Sequence, residues 1–430
     1  MTPPPPPPPP APPRTISEKI LSAKSGGNAF AGDVVVCDVD LVLGTDASAP
    51  MAIAYFDRMG GTRVHDASRV VFALDHYAPP SSSATKGFHD QVRAFAKKHG
   101  VRVFEVGEGI SHQIAVERGL AHPGMLVVGA DSHTVTCGAV NAFATGVGSS
   151  DLAAAMLTGQ LWFRVPQTVR VMFDGSRPPG VSAKDVALTL VSALGADGAE
   201  YHALEFTGPA ARDFSLDDRL VLSNLAVEAG AKAAVWHPDA VLAAHVARFA
   251  SDQGEPVFPD EDARYVRELE IDVASVVPTV ALPHAPDNVV PIAQAPDTPI
   301  HMVFLGTCTA GRVADYHEAL AVLERGGGKL ANGVQLVVTP ASSDVERQLA
   351  ADGTLVKLAR MGATITMPGC GACCGTSGVI PGDGMNVIST ANRNFKARMG
   401  NATASIYLAS PAACAAAALT GRITDPRSVA

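Results

Sequence analysis

The feature that most constrains this chain is a repeated one: a short, β-branched apolar run that ends on side chains with chemistry. Arg69-Val-Val-Phe-Ala-Leu74 finishes on Asp75-His76, and Val101-Arg-Val-Phe-Glu105 leads through Gly107-Glu-Gly-Ile-Ser to His112 at a helix start. Leu126-Val-Val-Gly-Ala130 delivers Asp131-Ser132-His133. Later, His301-Met-Val-Phe-Leu305 feeds Gly306-Thr-Cys308, and Ala363-Thr-Ile-Thr-Met367 feeds Cys370-Gly-Ala-Cys373-Cys374-Gly375. Runs of this length alternating with helical stretches imply parallel sheets, which collect functional side chains at the carboxyl ends of their strands. The fold class expected is therefore α/β.

Three strands ending on histidine, two of them with an aspartate adjacent or two residues away, imply a shared cleft that handles protons. An isolated Asp-His pair would more often be a loop hydrogen bond. The cysteine loops imply a metal site, because glycine lets the backbone approach a cluster closely and Cys308 adds a distant third thiol to Cys370 and Cys373. Small buried cysteines that merely pack well are the plainer reading of a single C-x-x-C.

At 430 residues the chain is too long for one ordinary core and implies several domains. A formal net charge of -9 argues against a nucleic-acid groove, which needs a basic face. Seven cysteines, an odd number crowded toward Cys370–Cys374, fit a reducing compartment better than a disulfide framework, so a cytoplasmic location is expected. The longest apolar stretch, near 412–419, is too short to cross a bilayer. The prolines of residues 3–13 occupy the place of a signal's apolar core and imply a disordered polyproline tail over residues 1–14.

Along the chain, Thr15 or Ser17 should cap a helix with Ile16, Ile20 and Leu21 on one face. Residues 33–43 read as one strand, and Ser149 should cap a small-residue helix. Val165-Pro166 marks the end of a first domain over 15–166, a smaller α/β domain spans 167–285, and 286–430 forms the third. In the second, Asn224 and Glu228 are four apart and should share a helix face, which by itself also suits a solvated surface. The proline-rich stretch 277–299 reads as a linker. Beyond it, Asn392, Arg393 and Arg398 fall near the cysteine loops, and arginine suits bidentate carboxylate binding.

From Thr15 to Pro426 these residues resemble the large subunit of the aconitase superfamily. The resemblance is carried by Leu126-Val-Val-Gly-Ala-Asp-Ser-His-Thr, Phe143-Ala-Thr-Gly-Val-Gly-Ser, Ala281-Leu-Pro-His-Ala-Pro-Asp-Asn288, Gly306-Thr-Cys-Thr, Asn392-Arg-Asn-Phe and Tyr407-Leu-Ala-Ser-Pro. The length is similar to that of its two-subunit members, the 3-isopropylmalate dehydratases and homoaconitases. The resemblance implies three α/β/α domains around a cluster cleft, with the swivelling fourth domain absent from this chain and supplied by a small subunit. It implies a [4Fe-4S] cluster on Cys308, Cys370 and Cys373 with one iron free of cysteine. It also implies Asp75, His76, His112, Asp131, His133 and Glu228 around the reacting hydroxyl, with His76 as its proton donor, and Ser132, Asn224, Asn392, Arg393 and Arg398 near the substrate. The reaction implied is isomerisation of a hydroxy polycarboxylic acid by dehydration and rehydration, first in leucine biosynthesis, otherwise on homocitrate, a dimethylmalate or a specialised tricarboxylate.

The chain departs from the pattern at Ala310, where asparagine is usual, at Cys374, where leucine is usual, at Thr376-Ser377, where a histidine often stands, and at Ser111 and Cys137. Altered neighbours of the cluster leave the acid open. Two readings from other classes are a zinc protein using the three thiols and a histidine, and a non-catalytic iron-sensing RNA binder, which the acidic charge disfavours.

Overall fold

The computed structural model describes residues 12–249 and 253–429, so the expected tail lies, as far as residue 11, outside the described residues. The first sheet has five parallel strands in the order Arg102–Phe104, Val70–Ala73, Leu41–Thr45, Leu126–Gly129 and Phe143–Gly146. The chain enters at the centre and builds outward in both directions, so the winding reverses between Leu41–Thr45 and Leu126–Gly129. Such a reversal opens a crevice beyond the carboxyl ends of the strands. Asp46, Asp75-His76 and Asp131 all follow strands at that edge.

Residues 33–43, expected as one strand, are two. Val34–Asp38 pairs antiparallel with Gln160–Arg164 in a separate ribbon, and Leu41–Thr45 enters the sheet. The break is made by Asp40, whose carboxylate accepts from the Leu126 amide at 2.7 Å and from Lys24 Nζ at 3.0 Å. The helix Ile16–Ser25 starts at Thr15 with a reciprocal capping box to Glu18 and buries Ile16, Ile20 and Leu21. The helix Ser149–Thr158 instead starts at Gly148 with no side-chain cap, so Ser149 is its first helical residue.

The second sheet is also parallel, in the order Ala233–Trp236, Ala203–Thr207, Thr168–Asp174 and Arg267–Asp272. Phe173, Phe206, Phe214 and Trp236 pack at one face with ring centroids 5.1 to 5.8 Å apart. Burying such rings contributes roughly 2 to 3 kcal/mol each.

The third sheet repeats the first sheet's logic. Its parallel strands run Ser405–Ala409, Asn386–Ser389, Met302–Gly306, Gln335–Thr339 and Thr364–Ile365, reversing between Met302–Gly306 and Asn386–Ser389. The stretch 277–299, expected as a linker, supplies two antiparallel strands, Thr279–Ala281 beside Ser405–Ala409 and Val289–Pro291 at the sheet's edge. The prolines that suggested a linker suit an edge, where a missing N–H costs no ladder bond. This sheet therefore begins before residue 286, and the strand expected over 363–367 shortens to Thr364–Ile365.

The carboxyl edges of the first and third sheets face each other through backbone bonds. Ile110 N donates to Ala341 O at 3.0 Å, Ser343 N to Glu108 O at 3.0 Å, and Cys370 N to Asp75 O at 2.9 Å. Gly109, at φ +128°, permits this approach, since a Cβ there would lie 2.6 Å from the Ser342 Cα. Among the described residues no helix is long and apolar enough to cross a membrane.

Candidate active site and metal centre

The first sheet contributes carboxylates and imidazoles. Asp75 follows Val70–Ala73 and is 1% exposed; His76 Nδ1 donates to its Oδ1 at 2.8 Å while the Ser111 amide donates to its Oδ2 at 2.8 Å. Asp46, wholly buried, accepts from the backbone amides of His76 and Tyr77 at 2.9 Å each and meets His89 Nε2 at 2.8 Å. The imidazole of His76 is thus fixed from both its ring and its backbone.

Asp131 is the hub. Its carboxylate has His76 Nε2 and His112 Nδ1 at 3.9 Å and His133 Nδ1 at 3.4 Å. His133 Nε2 donates to Glu228 Oε1 at 2.9 Å, and Arg393 Nε donates to both Glu228 oxygens, at 2.8 and 3.0 Å. Arg393 Nη2 then reaches Ser132 Oγ at 2.9 Å, closing a circuit across all three sheets. Burial opposes charge on Asp131, yet the surrounding imidazoles hold it well below the usual carboxylate value. Burial likewise opposes Glu228, which His133 and Arg393 hold low.

The three histidines differ. Burial alone would pull His76 down, but Asp75, with Cys374 and Asp131 nearby, holds it well above the usual histidine value. Burial raises Asp75 to about 6 against the pull of His76. His112 goes the other way: burial, only partly opposed by Asp131, lowers it to about 4, and neither ring nitrogen has a hydrogen-bond partner among the described residues. One imidazole is poised to carry a proton and another is kept neutral and unengaged.

The third sheet supplies the thiols. Cys308 follows Met302–Gly306 in a loop with Thr307 at φ +77°, and Cys370 precedes, while Cys373 lies within, the short 3₁₀ turn Gly371–Cys374 that follows Thr364–Ile365. All three are buried. Asn224 Nδ2 donates to Cys308 Sγ at 3.1 Å and to Thr136 Oγ1 at 2.9 Å. Asn392 Nδ2 reaches the same sulfur at 3.4 Å and its Oδ1 accepts from Cys373 Sγ at 3.4 Å. Arg398 Nη2 donates to Cys373 Sγ at 3.1 Å, leaving its buried Nε without a partner among the described residues.

Amide and guanidinium donors aimed at buried sulfur, beside the unengaged ring of His112, are what a thiolate-bound metal cluster requires of its surroundings. Burial pushes the Cys308 thiol up to about 12, so a bound cation is what would draw a thiolate from it. The residues present fit an iron-sulfur cluster.

Asn224 and Glu228 do not lie on one α-helix as expected. Asn224 is in the helix Leu216–Leu225, which tightens to a 3₁₀ turn over Ala226–Ala229 before Glu228 is reached. Both are buried within the circuit all the same.

Several residues that position the site were not singled out from sequence. Arg312, 1% exposed, donates through Nη2 to Cys308 O at 2.6 Å, through Nη1 to Thr309 O at 2.8 Å and through Nε to Gln113 Oε1 at 3.0 Å. Thr390 Oγ1 accepts from the Gly306 amide at 2.9 Å. The buried Lys184, lowered to about 8 by burial, donates to the carbonyls of Thr390 at 3.1 Å and Ala391 at 2.7 Å. The position of Arg312 at the end of the Cys308 glycine loop was the available signal.

A family model described as the aconitase family (aconitate hydratase) matches residues 18–421. The chain is 46% identical over 419 residues to 3-isopropylmalate dehydratase large subunit 2 of Archaeoglobus fulgidus, covering 96% of this chain and 99% of that one. It is 45% identical over 415 residues to 3-isopropylmalate dehydratase large subunit 1 of Methanopyrus kandleri, with coverage of 96% and 99%. It is 43% identical over 417 residues to the homoaconitase large subunit of Thermus thermophilus, with coverage of 97% and 98%. Among solved structures, the holo-form of Thermococcus kodakaraensis aconitase X has a similar fold at a TM-score of 0.50 and 12% identity, over 87% of this chain and 92% of that one.

Proposed function

This chain belongs to the aconitase family and is a hydro-lyase; from that premise we propose that it is the large, catalytic subunit of a 3-isopropylmalate dehydratase. Cys308, Cys370 and Cys373 would hold a [4Fe-4S] cluster with one iron free of cysteine. When bound, such a cluster supplies a Lewis acid for the substrate's hydroxyl and a neighbouring carboxylate.

The rest of the chemistry falls to side chains. His76, oriented by Asp75 at 2.8 Å and turned toward Asp131, is the donor of the proton with which the hydroxyl leaves as water. On rehydration it takes a proton back from the incoming water. Asp131 and His133 fix that water's surroundings, and neutral His112 offers a hydrogen-bonding ring without adding charge. Arg393, held by Glu228 and Ser132, and Arg398 bind the substrate's carboxylates; the first is preorganised by its own ion pair. The base that removes the carbon-bound proton comes from a small-subunit partner that closes over the cleft.

The observation that carries this reading is the convergence of three imidazoles on the Asp131 carboxylate, within 3.4 to 3.9 Å, opposite a wall of buried thiols. The test is turnover of 3-isopropylmalate by the cluster-loaded chain combined with its small subunit, followed by ultraviolet absorbance of the alkene. Homocitrate and a dimethylmalate are assayed in parallel. Absence of 3-isopropylmalate turnover with turnover of homocitrate would replace this substrate by the second reading, homoaconitase, which the relative from Thermus thermophilus supports at similar identity.

A further inference from the structure

Cys374 has no part in the scheme above, yet it does not stand alone. One donor atom from each of His76, Cys370 and Cys374 lies within 4.8 Å of the other two. Cys370 Sγ is 3.8 Å from His76 Nδ1. Donors around a tetrahedral zinc, with Zn–S near 2.3 Å and Zn–N near 2.0 Å, stand roughly 3.5 to 4 Å apart, so the trio closes on one ion by small side-chain rotations once His76 Nδ1 gives up the proton it donates to Asp75. The loop holds the donors in place: Thr376 Oγ1 is 3.3 Å from Cys374 Sγ and also donates to the His76 carbonyl. Cys374 is partly exposed, giving the trio a side open to solvent.

We propose that His76, Cys370 and Cys374 form a second metal site, for a thiophilic divalent cation of the zinc class, available while the cluster is absent. Two sulfurs and an imidazole match the ligand preference of zinc, and three protein donors leave the fourth position to water. Binding displaces the Cys370 thiol proton and the Nδ1 proton that His76 gives to Asp75, both released to solvent, and changes no oxidation state. Because Cys370 belongs to both donor sets, the two occupants exclude each other: zinc on the trio withholds Cys370 from iron, and cluster assembly expels zinc. This competition rests on the cluster reading above, whereas the zinc site rests on the trio itself.

The test uses the full chain, freed of cluster under anaerobic reducing conditions. It is titrated with Zn²⁺ against a chromophoric chelator, and with Co²⁺, whose thiolate charge-transfer and tetrahedral d–d bands report the donors. The expected result is one ion per chain, bound about a hundredfold more weakly by Cys374→Ser and equally well by Cys308→Ser. Loss of binding in Cys308→Ser or Cys373→Ser with none in Cys374→Ser would put the ion on the cluster thiols and overturn the proposal, as would absence of stoichiometric binding. Circular dichroism of each variant confirms that the fold is kept. Loading with iron and sulfide separates the two readings. Equal cluster content in Cys374→Ser, with faster loading than the unsubstituted chain in the presence of zinc, supports the competition, and equal rates overturn it. Failure of the unsubstituted chain to load any cluster overturns the cluster reading and leaves the zinc result standing.

Discussion

His76 and Arg312 show how differently single side chains can serve one site. Replacing His76 by Gln keeps a polar group of similar reach but removes the ionisable ring. The expected result is a fall in kcat of about 10² to 10⁴-fold, with iron and sulfide per chain unchanged, measured on the cluster-loaded two-subunit enzyme. Arg312 touches no substrate in the proposed scheme; it ties the Cys308 and Thr309 carbonyls to Gln113. Arg312→Met leaves those buried acceptors unpaired at about 1 to 3 kcal/mol each, so the variant should lose cluster during gel filtration and unfold at lower denaturant concentration. Of the two, His76 was legible in sequence because it follows a strand beside an aspartate. Arg312 was not, because its value lies in three backbone and amide partners that only the folded loop brings together.

At the scale of elements, the Cys370 loop depends on glycine geometry. Gly371 sits at φ +56°, and a Cβ there would lie 2.5 Å from Thr339 Oγ1. Gly371→Ala should cost about 2 kcal/mol or more and reduce cluster retention, while the far-ultraviolet circular dichroism stays that of the native chain. The short helix Ala240–Val246 carries a pH dependence. His245 is 5% exposed, and burial, aided by Arg248, lowers it to about 4, below the ordinary 6.5. In the window between those values the unfolded chain binds the extra proton, so stability is present above about pH 6.5 and is lost as pH falls toward 4, by at most about 3 kcal/mol. Denaturation from pH 4 to 7 should show a shallower loss in His245→Phe than in the unsubstituted chain. The strands and helices themselves were mostly readable from periodicity and caps. The division of residues 33–43 was hidden because a turn made by the Asp40 carboxylate needs neither glycine nor proline, and the strand pair of 277–299 was hidden because proline marks an edge, here Val289–Pro291, as readily as a linker.

For the whole molecule, sequence pattern located both halves of the site but not their meeting. Apolar runs ending in histidine or cysteine state that two sheets carry chemistry; nothing in their spacing states that Cys370 N will bond Asp75 O or that Asn224, from the middle of the chain, will bridge Thr136 and Cys308. Those contacts depend on docking, which local pattern does not encode. At this scale the expected partner gives a direct prediction. The purified chain should load iron and sulfide yet turn over no substrate, and adding the small subunit should restore activity; turnover by the chain alone would remove the need for a partner.

The facing of the two sheets also sets an order in time. During synthesis the strands of the histidine-bearing sheet are complete once residue 146 has emerged, whereas the last cluster thiol follows only at Cys373 and the arginines at Arg393 and Arg398. A nascent chain therefore passes through a long interval in which it displays imidazoles and carboxylates but has no paired thiols to hold a cluster. A chain interrupted before residue 370 would carry the imidazoles and carboxylates of the site but only Cys308 of its three cluster cysteines.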